Sequence, residues 1–332
     1  MSKVSVIVPV YGVEKYIERC ARSLFEQTMI DIEYIFVNDC TPDNSMTILN
    51  DVLAEYPHRK DQVIIYSMPQ NSGQAAVRKQ GISLATGDYI IHCDSDDWVD
   101  VKMYEKLYNF AVSDAYDMVW CDYFRSNGVM HARIPQTCSP KKREILEAFL
   151  VGRLVGSLCN RLCKRNLYQR MDFVYPLADM TEDLVISTQI VLFSPKIGYL
   201  PEPLYYYYWN PNSICMKPDE QHVLKNYYGM LTNTELIFAI LAKYVNVCEF
   251  SREIDCKKCL CKGGVIPLLH KRKYRDLWRN TYPEINRRIL RNPVISRNTK
   301  IRAFCLLYGM SPLYILLKKL SDHRQWRKVG IM

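Results

Sequence analysis

The sequence predicts an α/β fold, in which a mostly parallel sheet is flanked by helices and followed by a C-terminal helical region. Strand-like and helix-like segments alternate over residues 4–121. The strand-like segments are nearly continuous apolar runs, which is typical of parallel sheets covered on both faces. From about Pro218 onward, apolar residues recur only at helical spacing, so we expect helices alone in this last part of the chain.

The predicted elements follow from residue type and spacing, because β-branched and aromatic runs favour strands and apolar residues three or four apart favour helices. Strands are predicted at Val4–Val10, Ile32–Val37, Gln62–Tyr66, Asp88–Cys93 and Met118–Cys121, with a late pair at Ile197–Leu200 and Leu204–Tyr208. Helices are predicted at Val13–Gln27, Asp43–Tyr56, Gln74–Ala85, Val101–Val112, Lys141–Val151 and Thr181–Leu192.

Length and composition indicate a folded globular protein. With 332 residues, 48% of them hydrophobic, the chain can bury a large core and form one or two domains. Strand-like sequence begins at Lys3, so we expect no secretory leader. The 13 cysteines are scattered through predicted strands and helices, and we expect them to be reduced thiols in a cytoplasmic protein.

Charge is distributed unevenly along the chain. Residues 251–332 carry 20 Lys and Arg but 5 Asp and Glu, a net charge of +15, whereas the first 250 residues have a net charge of −6. The basic region therefore predicts an anionic partner. Clusters such as Lys271-Arg272-Lys273 flank apolar stretches, which fits an anionic membrane surface, with a solvated basic surface as the alternative. Residues 301–317 are too few and too interrupted for a membrane span, and no recognised motif favours nucleic acid.

The acidic stretch Asp94-Ser95-Asp96-Asp97 is the most informative part of the sequence. Its three carboxylates directly follow a predicted buried strand, and the carboxyl ends of strands are where open α/β sheets bind ligands. Neighbouring carboxylates repel one another unless a cation or donor groups neutralise them. Mn²⁺ and Mg²⁺ prefer oxygen ligands and often bridge carboxylates to phosphates, so the stretch predicts a metal site for a phosphate-bearing substrate. The alternative is that Asp94 or Ser95 caps the following helix.

Functional side chains also follow the other predicted strands. Tyr11 comes after the first strand and Asp39 after the second. Asn71 and Gly73 follow the third strand, with Arg78 one helical turn onward. This set suits a nucleotide, because it offers ring stacking, hydrogen bonds to ribose or base, and a guanidinium for phosphate. A surface ion pair is the alternative for Arg78. Neither Gly-x-Gly-x-x-Gly nor a P-loop sequence is present, which disfavours dinucleotide-binding dehydrogenases and P-loop enzymes.

Several motifs together resemble family 2 glycosyltransferases. The opening, Val6-Ile7-Val8-Pro9-Val10-Tyr11-Gly12-Val13-Glu14-Lys15-Tyr16-Ile17, is similar to the start of that family, and Phe36–Ser45, Asn71–Gly73, Ala85–Tyr89 and Asp94–Trp98 follow in the family's order. The resemblance is specific over residues 3–100 and looser to about residue 215. It implies a glycosyltransferase A-type fold with Rossmann-like nucleotide binding. We expect a catalytic domain at 1–215, with a nucleotide-sugar half at 1–122 and an acceptor and catalytic-base half at 123–215, before a basic helical region at 216–332.

The resemblance implies an inverting, metal-dependent transfer of a sugar from a nucleotide-diphosphate sugar, expected to be a UDP-sugar, to a hydroxyl of a glycan or lipid-linked glycan. It implies that Asp96 is the direct ligand of Mn²⁺ or Mg²⁺. The residues expected to bind the donor are Pro9, Tyr11, Glu14, Asp39, Arg78, Asp94, Ser95 and Asp96. Such an enzyme of polysaccharide biosynthesis is expected in the cytoplasm, with peripheral attachment at the inner face of the cytoplasmic membrane.

Thr181-Glu182-Asp183-Leu184 is similar to the segment that supplies the family's catalytic base, and the resemblance assigns that role to Asp183. An inverting displacement needs a carboxylate to take the proton of the acceptor hydroxyl. The alternative is that Glu182 and Asp183 are first-turn acids favoured by the helix dipole. Asn160–Arg165 is also similar to a family segment, from which Arg161 and Cys163 depart.

Three further features depart from the family or leave alternatives open. Trp209 stands where relatives often have a basic residue, and either stacks on a sugar or is a half-buried strand residue. Cys40 replaces a common glycine, which indicates a backbone turn. Cys256-x-x-Cys259-x-Cys261 lacks the ligand spacing of zinc sites, so helical thiols are favoured. The alternative function is an inactive binding module that tethers a partner or membrane through its basic tail.

Overall fold

The computed structural model describes residues 2–209 and 219–310. Within them the chain forms two compact units, one made of residues 2–149 and 153–209 and the other of residues 150–152 and 219–310. The α/β architecture of the first unit and the helical character of the second confirm the predicted fold class. Residues 311–317 of the apolar tail segment lie outside the described residues.

The described chain contains nine strands and ten α-helices. The strands are β1 Val4–Val10, β2 Ile32–Asn38, β3 Val63–Ser67, β4 Tyr89–His92, β5 Trp98–Val99, β6 Met118–Ser126, β7 His131–Ile134, β8 Arg161–Lys164 and β9 Ile197–Tyr208. The helices are α1 Ile17–Phe25, α2 Ser45–Glu55, α3 Gln74–Leu84, α4 Met103–Ser113, α5 Lys142–Val151, α6 Glu182–Phe193, α7 Glu220–Tyr244, α8 Ser251–Lys262, α9 Arg272–Asn280 and α10 Arg297–Leu307.

The sheet is mixed rather than mostly parallel, which corrects that part of the prediction. Its strand order is β3-β2-β1-β4-β8-β6-β9-β5, with β7 paired to β6. The first four strands are parallel, but β8 is antiparallel to both β4 and β6. β9 is parallel to β6, and the short β5 is antiparallel to β9. The parallel half ends where β8 enters the sheet, and β8 was not among the predicted strands.

Burial explains why the parallel strands of the sheet could be predicted from the sequence. In β1, Val4, Val6 and Val8 on one face and Ile7 on the other are all fully buried. Such a strand needs apolar residues at successive positions, because helices cover both of its faces. The predicted late pair of strands is instead the single strand β9, whose pairing with β6 shifts register at Asp122. The irregularity keeps Ile197–Tyr208 continuous across Pro201 and Pro203.

The loop between α3 and β4 is held at the sheet edge where β1 and β2 begin. Glu33, on β2, is buried, and its carboxylate accepts hydrogen bonds from Thr86 N–H (2.7 Å), Thr86 Oγ1 (2.8 Å) and Gly87 N–H (3.1 Å). Ser5 Oγ donates to the same carboxylate. A Cβ on Gly87 would lie 2.8 Å from the Ser5 nitrogen, so only glycine fits there. The Ala85–Tyr89 motif therefore has a structural role, away from the carboxyl ends of β1 and β4.

The second unit is built from α7 to α10 around its own apolar core. Cys256, Cys259 and Cys261 lie on α8 and are buried, as expected for thiols in a helical core. Lys262 is also fully buried and donates to Asn286 Oδ1 (2.7 Å) and to the Thr281 carbonyl. Burial lowers the pKa of the Lys262 ammonium to about 8. Across residues 2–209 and 219–310, none of the helices has the length and apolar character required to span a bilayer.

The Glu33 contacts generate a stability prediction. Glu33→Gln replaces the oxygen that accepts from Thr86 Oγ1 with an NH₂ group and removes the carboxylate charge from the remaining hydrogen bonds, so we expect the free energy of unfolding to fall by about 1–3 kcal/mol. Urea denaturation measures the change. Glu18→Gln, which removes an exposed ion pair with Arg22, is the matched control and is expected to change stability by less than about 1 kcal/mol. Equal stability of Glu33→Gln and the parent would contradict the structural role of Glu33.

Candidate active site

The carboxyl ends of β1, β2 and β4 lie side by side, because β1 pairs in parallel with both neighbours. The loops after these strands meet at one edge of the sheet, where open α/β sheets bind ligands. Seven predicted site residues lie at this edge: Pro9 at the end of β1, Tyr11 and Glu14 in the next loop, Asp39 after β2, and Asp94, Ser95 and Asp96 after β4.

The loop after β1 is bonded to the loop after β2 through three successive backbone N–H groups. The bonds run from Gly12 to Thr41 Oγ1 (2.8 Å), from Val13 to Ser45 Oγ (3.1 Å) and from Glu14 to Asp43 Oδ2 (2.9 Å). The Glu14 carboxylate in turn accepts from the backbone N–H of Asn44 (3.3 Å), just before α2. Tyr11 is 44% exposed, so its ring remains available to stack on a ligand.

Asp39 is buried and holds the loop that precedes α3. Its carboxylate accepts hydrogen bonds from the backbone N–H groups of Ser72 (2.7 Å) and Gly73 (3.0 Å). These bonds explain the Asn-Ser-Gly motif, and a nucleoside contact by Asp39 stays a prediction. The next residue, Cys40, has a φ of +56°, in the left-handed region that favours glycine. This confirms the expected backbone turn, and the exposed Cys40 thiol donates to the Met68 carbonyl (3.0 Å).

The acidic loop after β4 divides its carboxylates between two environments. Asp94 and Asp96 are partly exposed, whereas Asp97 is 1% exposed. Asp97 accepts from Tyr205 OH (2.5 Å) and from the backbone N–H of Tyr208 (2.6 Å), which fastens the loop to β9. Burial raises the pKa of the Asp97 carboxyl well above its usual range. The expectation that three carboxylates emerge together is therefore wrong for Asp97.

The capping alternative for this loop is also wrong. The following helix, α4, begins at Met103 after Lys102, without a side-chain cap. Asp94 instead forms an ion pair with Arg78, with 2.7 Å between Asp94 Oδ1 and Arg78 Nη2. Ser95 is buried, so it offers little side-chain surface to a ligand.

Arg78 contacts both the acidic loop after β4 and the first turn of α6. It lies on α3, is 2% exposed, and pairs through Nη2 with Asp94 and through Nε with Glu182 Oε1 (3.2 Å). Its Nη1 is buried without a hydrogen-bond partner among the described residues. The surface ion pair proposed as the alternative is therefore wrong, because Arg78 is interior. Its expected contact with phosphate stays a prediction.

Glu182 and Asp183 occupy the first turn of α6, as both interpretations of this segment require. The preceding Thr181 has a φ of +66°, in the left-handed region, and makes no side-chain cap. Asp183 Oδ1 accepts from the backbone N–H of Leu184 (2.7 Å). Burial raises the pKa of the Asp183 carboxyl, and the nearby positive charge of Arg78 partly offsets the change. The pKa of Glu182 is also raised, by burial and by the charge of Asp183.

Two contributors were not identified from the sequence. Asp179 accepts from the backbone N–H of Ala75 (3.1 Å) at the start of α3, and a Cβ on Gly73 would lie 2.6 Å from its carboxylate. No signal in the sequence pointed to this contact. Arg161 had a signal, as a departure from the family pattern. It is 1% exposed and donates to the carbonyls of the loop before it.

Trp209 is partly buried, and its backbone N–H donates to the Ser126 carbonyl (2.7 Å), as expected for a residue at the end of a strand.

The carboxylates that remain accessible suit a hard divalent cation. Among residues 2–209 and 219–310, no three Asp, Glu, His or Cys side chains are grouped as a complete metal site. Asp94 and Asp96 nevertheless place two partly exposed carboxylates in one loop. Mg²⁺ typically binds through one or two carboxylates and completes its shell with water and substrate phosphates. The donor set therefore fits Mg²⁺, or Mn²⁺ with its similar oxygen preference.

Comparison with known proteins is consistent with this arrangement. The sequence profile of glycosyl transferase family 2 matches residues 5–171. EpsH of Bacillus subtilis, named as a glycosyltransferase, is 31% identical over 260 residues, which are 76% of this chain and 73% of EpsH. The poly(ribitol-phosphate) beta-glucosyltransferase of Bacillus spizizenii is 28% identical over 72% of this chain and 37% of its own.

Solved structures show the same fold. Residues 1–349 of S. aureus TarS, crystallised with UDP, superpose with a TM-score of 0.65 at 18% identity, covering 97% of this chain and 91% of that one. The TarS complex with UDP-GlcNAc gives a TM-score of 0.57 at 17% identity, covering 91% and 89%. Because the family profile matches half of the sequence and EpsH is similar over most of both chains, this protein belongs to family 2 of the glycosyltransferases.

Proposed function

We propose that this glycosyltransferase moves a sugar from a UDP-sugar to a hydroxyl group of a glycan or lipid-linked glycan, with inversion at the anomeric carbon and with Mn²⁺ or Mg²⁺ as cofactor. One observation carries the proposal. The buried Arg78 contacts Asp94, on the expected donor side, and Glu182, the neighbour of the expected base Asp183. One side chain thus connects the loop expected to bind the donor with the helical turn that carries the expected base, as a single transfer reaction requires.

The donor is proposed to bind along the loops after β1, β2 and β4. Tyr11 offers an exposed ring for the base, and Pro9, Glu14 and Asp39 line the loops around it. Uridine diphosphate is favoured because TarS, which shares the fold, has been crystallised with UDP and with UDP-GlcNAc. Arg78 is proposed to act on the diphosphate through its positive charge, because its guanidinium is buried in the ion pairs with Asp94 and Glu182.

The divalent cation is proposed to be held by Asp96, with Asp94 beside it. When bound, such a cation supplies positive charge that stabilises the diphosphate as it leaves. Asp97, which bonds to Tyr205 and to the Tyr208 backbone, attaches this loop to β9 and favours the observed conformation. A preorganised loop spares the enzyme the rearrangement that would otherwise precede reaction.

Asp183 is proposed to act as general base. Its carboxylate takes the proton of the acceptor hydroxyl while the oxygen attacks the anomeric carbon, and the bond to the diphosphate breaks with its electrons leaving on UDP. Attack opposite the leaving group inverts that carbon. A raised pKa makes the Asp183 carboxylate a stronger base than an exposed aspartate.

The acceptor is proposed to be a cell-surface glycan or its lipid-linked precursor. The name of the Bacillus spizizenii relative, a poly(ribitol-phosphate) beta-glucosyltransferase, supports a polymer of the cell envelope. We place the reaction in the cytoplasm, where the twelve described cysteines, all free thiols, would stay reduced. An inactive binding module is disfavoured, because Asp94 and Asp96 stay accessible; sugar transfer with cation present would reject it.

The C-terminal region is proposed to attach to the anionic inner face of the cytoplasmic membrane. Ile301, Phe304 and Tyr308 are exposed on or just after α10, and the rings of Phe304 and Tyr308 are 4.7 Å apart. Arg297 and Lys300 lie on the same helix with at least partial exposure. Apolar and aromatic side chains beside cations favour an anionic lipid surface.

The first prediction from the proposed function concerns the base. Asp183→Asn removes the proton acceptor but keeps the side-chain shape, so we expect kcat to fall by about 10²–10⁴ while UDP binds as before. Release of UDP from a UDP-sugar in the presence of acceptor measures turnover. Asp172→Asn, which removes a partly exposed ion pair with Arg170, is the control and should retain parental turnover. Near-normal transfer by Asp183→Asn would reject the assignment.

The second prediction concerns the cation ligand. Asp96→Ala removes a carboxylate oxygen donor, so calorimetric titration with UDP and Mn²⁺ should show no cation-dependent binding. The control is Asp100→Asn, because its Oδ1 accepts from the Lys102 N–H (2.9 Å) and an amide oxygen can replace it. If UDP affinity still responds to Mn²⁺ in Asp96→Ala as in the parent, Asp96 does not bind the cation.

The third prediction concerns the membrane. Replacing both Phe304 and Tyr308 with Ser in the full chain should lower the partition constant onto phosphatidylglycerol-containing vesicles by about tenfold or more, because the apolar contact is lost. Vesicle co-sedimentation measures the change, and Tyr228→Ser, at an exposed aromatic on α7, is the control. Unchanged binding, or binding equal on neutral phosphatidylcholine vesicles, would contradict the proposal.

A further inference from the structure

We propose that Arg19 is a positioning residue for the divalent cation, which it serves by fixing the main chain of Asp96. The inference rests on the proposed function, because it presumes that Asp96 binds Mn²⁺ or Mg²⁺. Arg19 lies on α1 and donates from Nη2 to the Asp96 carbonyl oxygen (2.8 Å). It therefore contacts the peptide group of the expected ligand through this bond, and not its carboxylate.

Two aromatic rings hold the Arg19 guanidinium in place. Its Cζ lies 3.8 Å from the centroid of the Trp98 ring and 4.6 Å from that of Tyr208. Its Nε is buried without a hydrogen-bond partner among the described residues, so the rings supply much of the compensation for burying this charge. Arginine suits such a position because its planar group can stack and donate in the same plane, which a lysine cannot do.

The rings themselves are fixed by the sheet. Trp98 stacks on Tyr206 with centroids 5.2 Å apart and an interplanar angle of 9°, and Tyr206 stacks on Phe124 at 5.0 Å. Trp98 belongs to β5, which pairs with β9, the strand that carries Tyr206 and Tyr208. The rings on which Arg19 stacks are therefore held by contacts that extend over three strands, β5, β6 and β9.

The acidic loop is thus held at each of its three aspartates by a different element. Arg78 on α3 pairs with the Asp94 side chain, and Tyr205 and Tyr208 on β9 bond to Asp97. Arg19 on α1 holds the main chain at Asp96. Groups that orient metal ligands without touching the metal commonly change metal affinity by about 10–100-fold when altered. We expect an effect of that size at Arg19.

The test uses the full chain with UDP and Mn²⁺, and electron paramagnetic resonance to measure free Mn²⁺. Arg19→Lys keeps the charge but loses the stacked fork, so the Kd for Mn²⁺ should rise about 10–100-fold. Affinity for UDP without cation should not change. Arg22→Lys is the matched control, because Arg22 lies one turn along α1 in a surface pair with Glu18 and Glu55 and should leave the Mn²⁺ Kd unchanged. Trp98→Leu, which removes one stacking ring, should also raise the Kd.

The outcomes separate this inference from the proposed function. If the parent binds Mn²⁺ with UDP and Arg19→Lys binds it equally well, the role of Arg19 is overturned and the proposed function stands. If Arg19→Lys weakens UDP without cation by the same factor, Arg19 acts on the donor or on folding, and the inference fails. If the parent shows no Mn²⁺ binding with UDP, both proposals fall. Thermal unfolding of each variant shows whether an increase in Kd reflects a misfolded fraction of the protein.

Discussion

The candidate site depends on one buried, positively charged side chain, that of Arg78. The Arg78 guanidinium is almost fully enclosed, and a charge in that position is tolerated only when opposite charges face it. Asp94 and Glu182 supply them from elements that are distant in the chain. Removing either partner would break one of the two buried ion pairs, and the loss of a buried ion pair in other proteins has reduced stability by about 3–5 kcal/mol. The loop of Asp94 and the first turn of α6 are therefore constrained together.

Most acidic side chains near Arg78 accept hydrogen bonds from the backbone of the surrounding loops. Asp39 holds the loop before α3, Asp43 holds the loop after β1, and Asp97 holds the acidic loop against β9. Each carboxylate accepts N–H groups that no regular element would satisfy, and a buried N–H without a partner destabilises the fold. The family motifs thus contain two kinds of acid, those that shape the site and those left accessible to a ligand.

The sequence was sufficient for the parallel half of the sheet and for the meeting of the predicted site residues at one sheet edge, because apolar runs ended by polar residues mark strands and their carboxyl ends. It was not sufficient for β8, because two of its four residues are Arg161 and Lys164, and its place in the sheet comes from pairing with β4 on one side and β6 on the other. The role of Asp97 depends on Tyr205, 108 residues away, and that of Arg78 on Glu182, 104 residues away. Such pairs follow from tertiary packing, which local patterns do not encode.

Cys40 has a consequence of another kind. It occupies a left-handed turn directly after Asp39, and it is one of only two exposed thiols, with Cys248, among the described cysteines. Maleimide dyes react with accessible thiols and spare enclosed ones. Cys40 is therefore an attachment point for a fluorescent reporter at the edge of the sheet where the loops after β1, β2 and β4 meet.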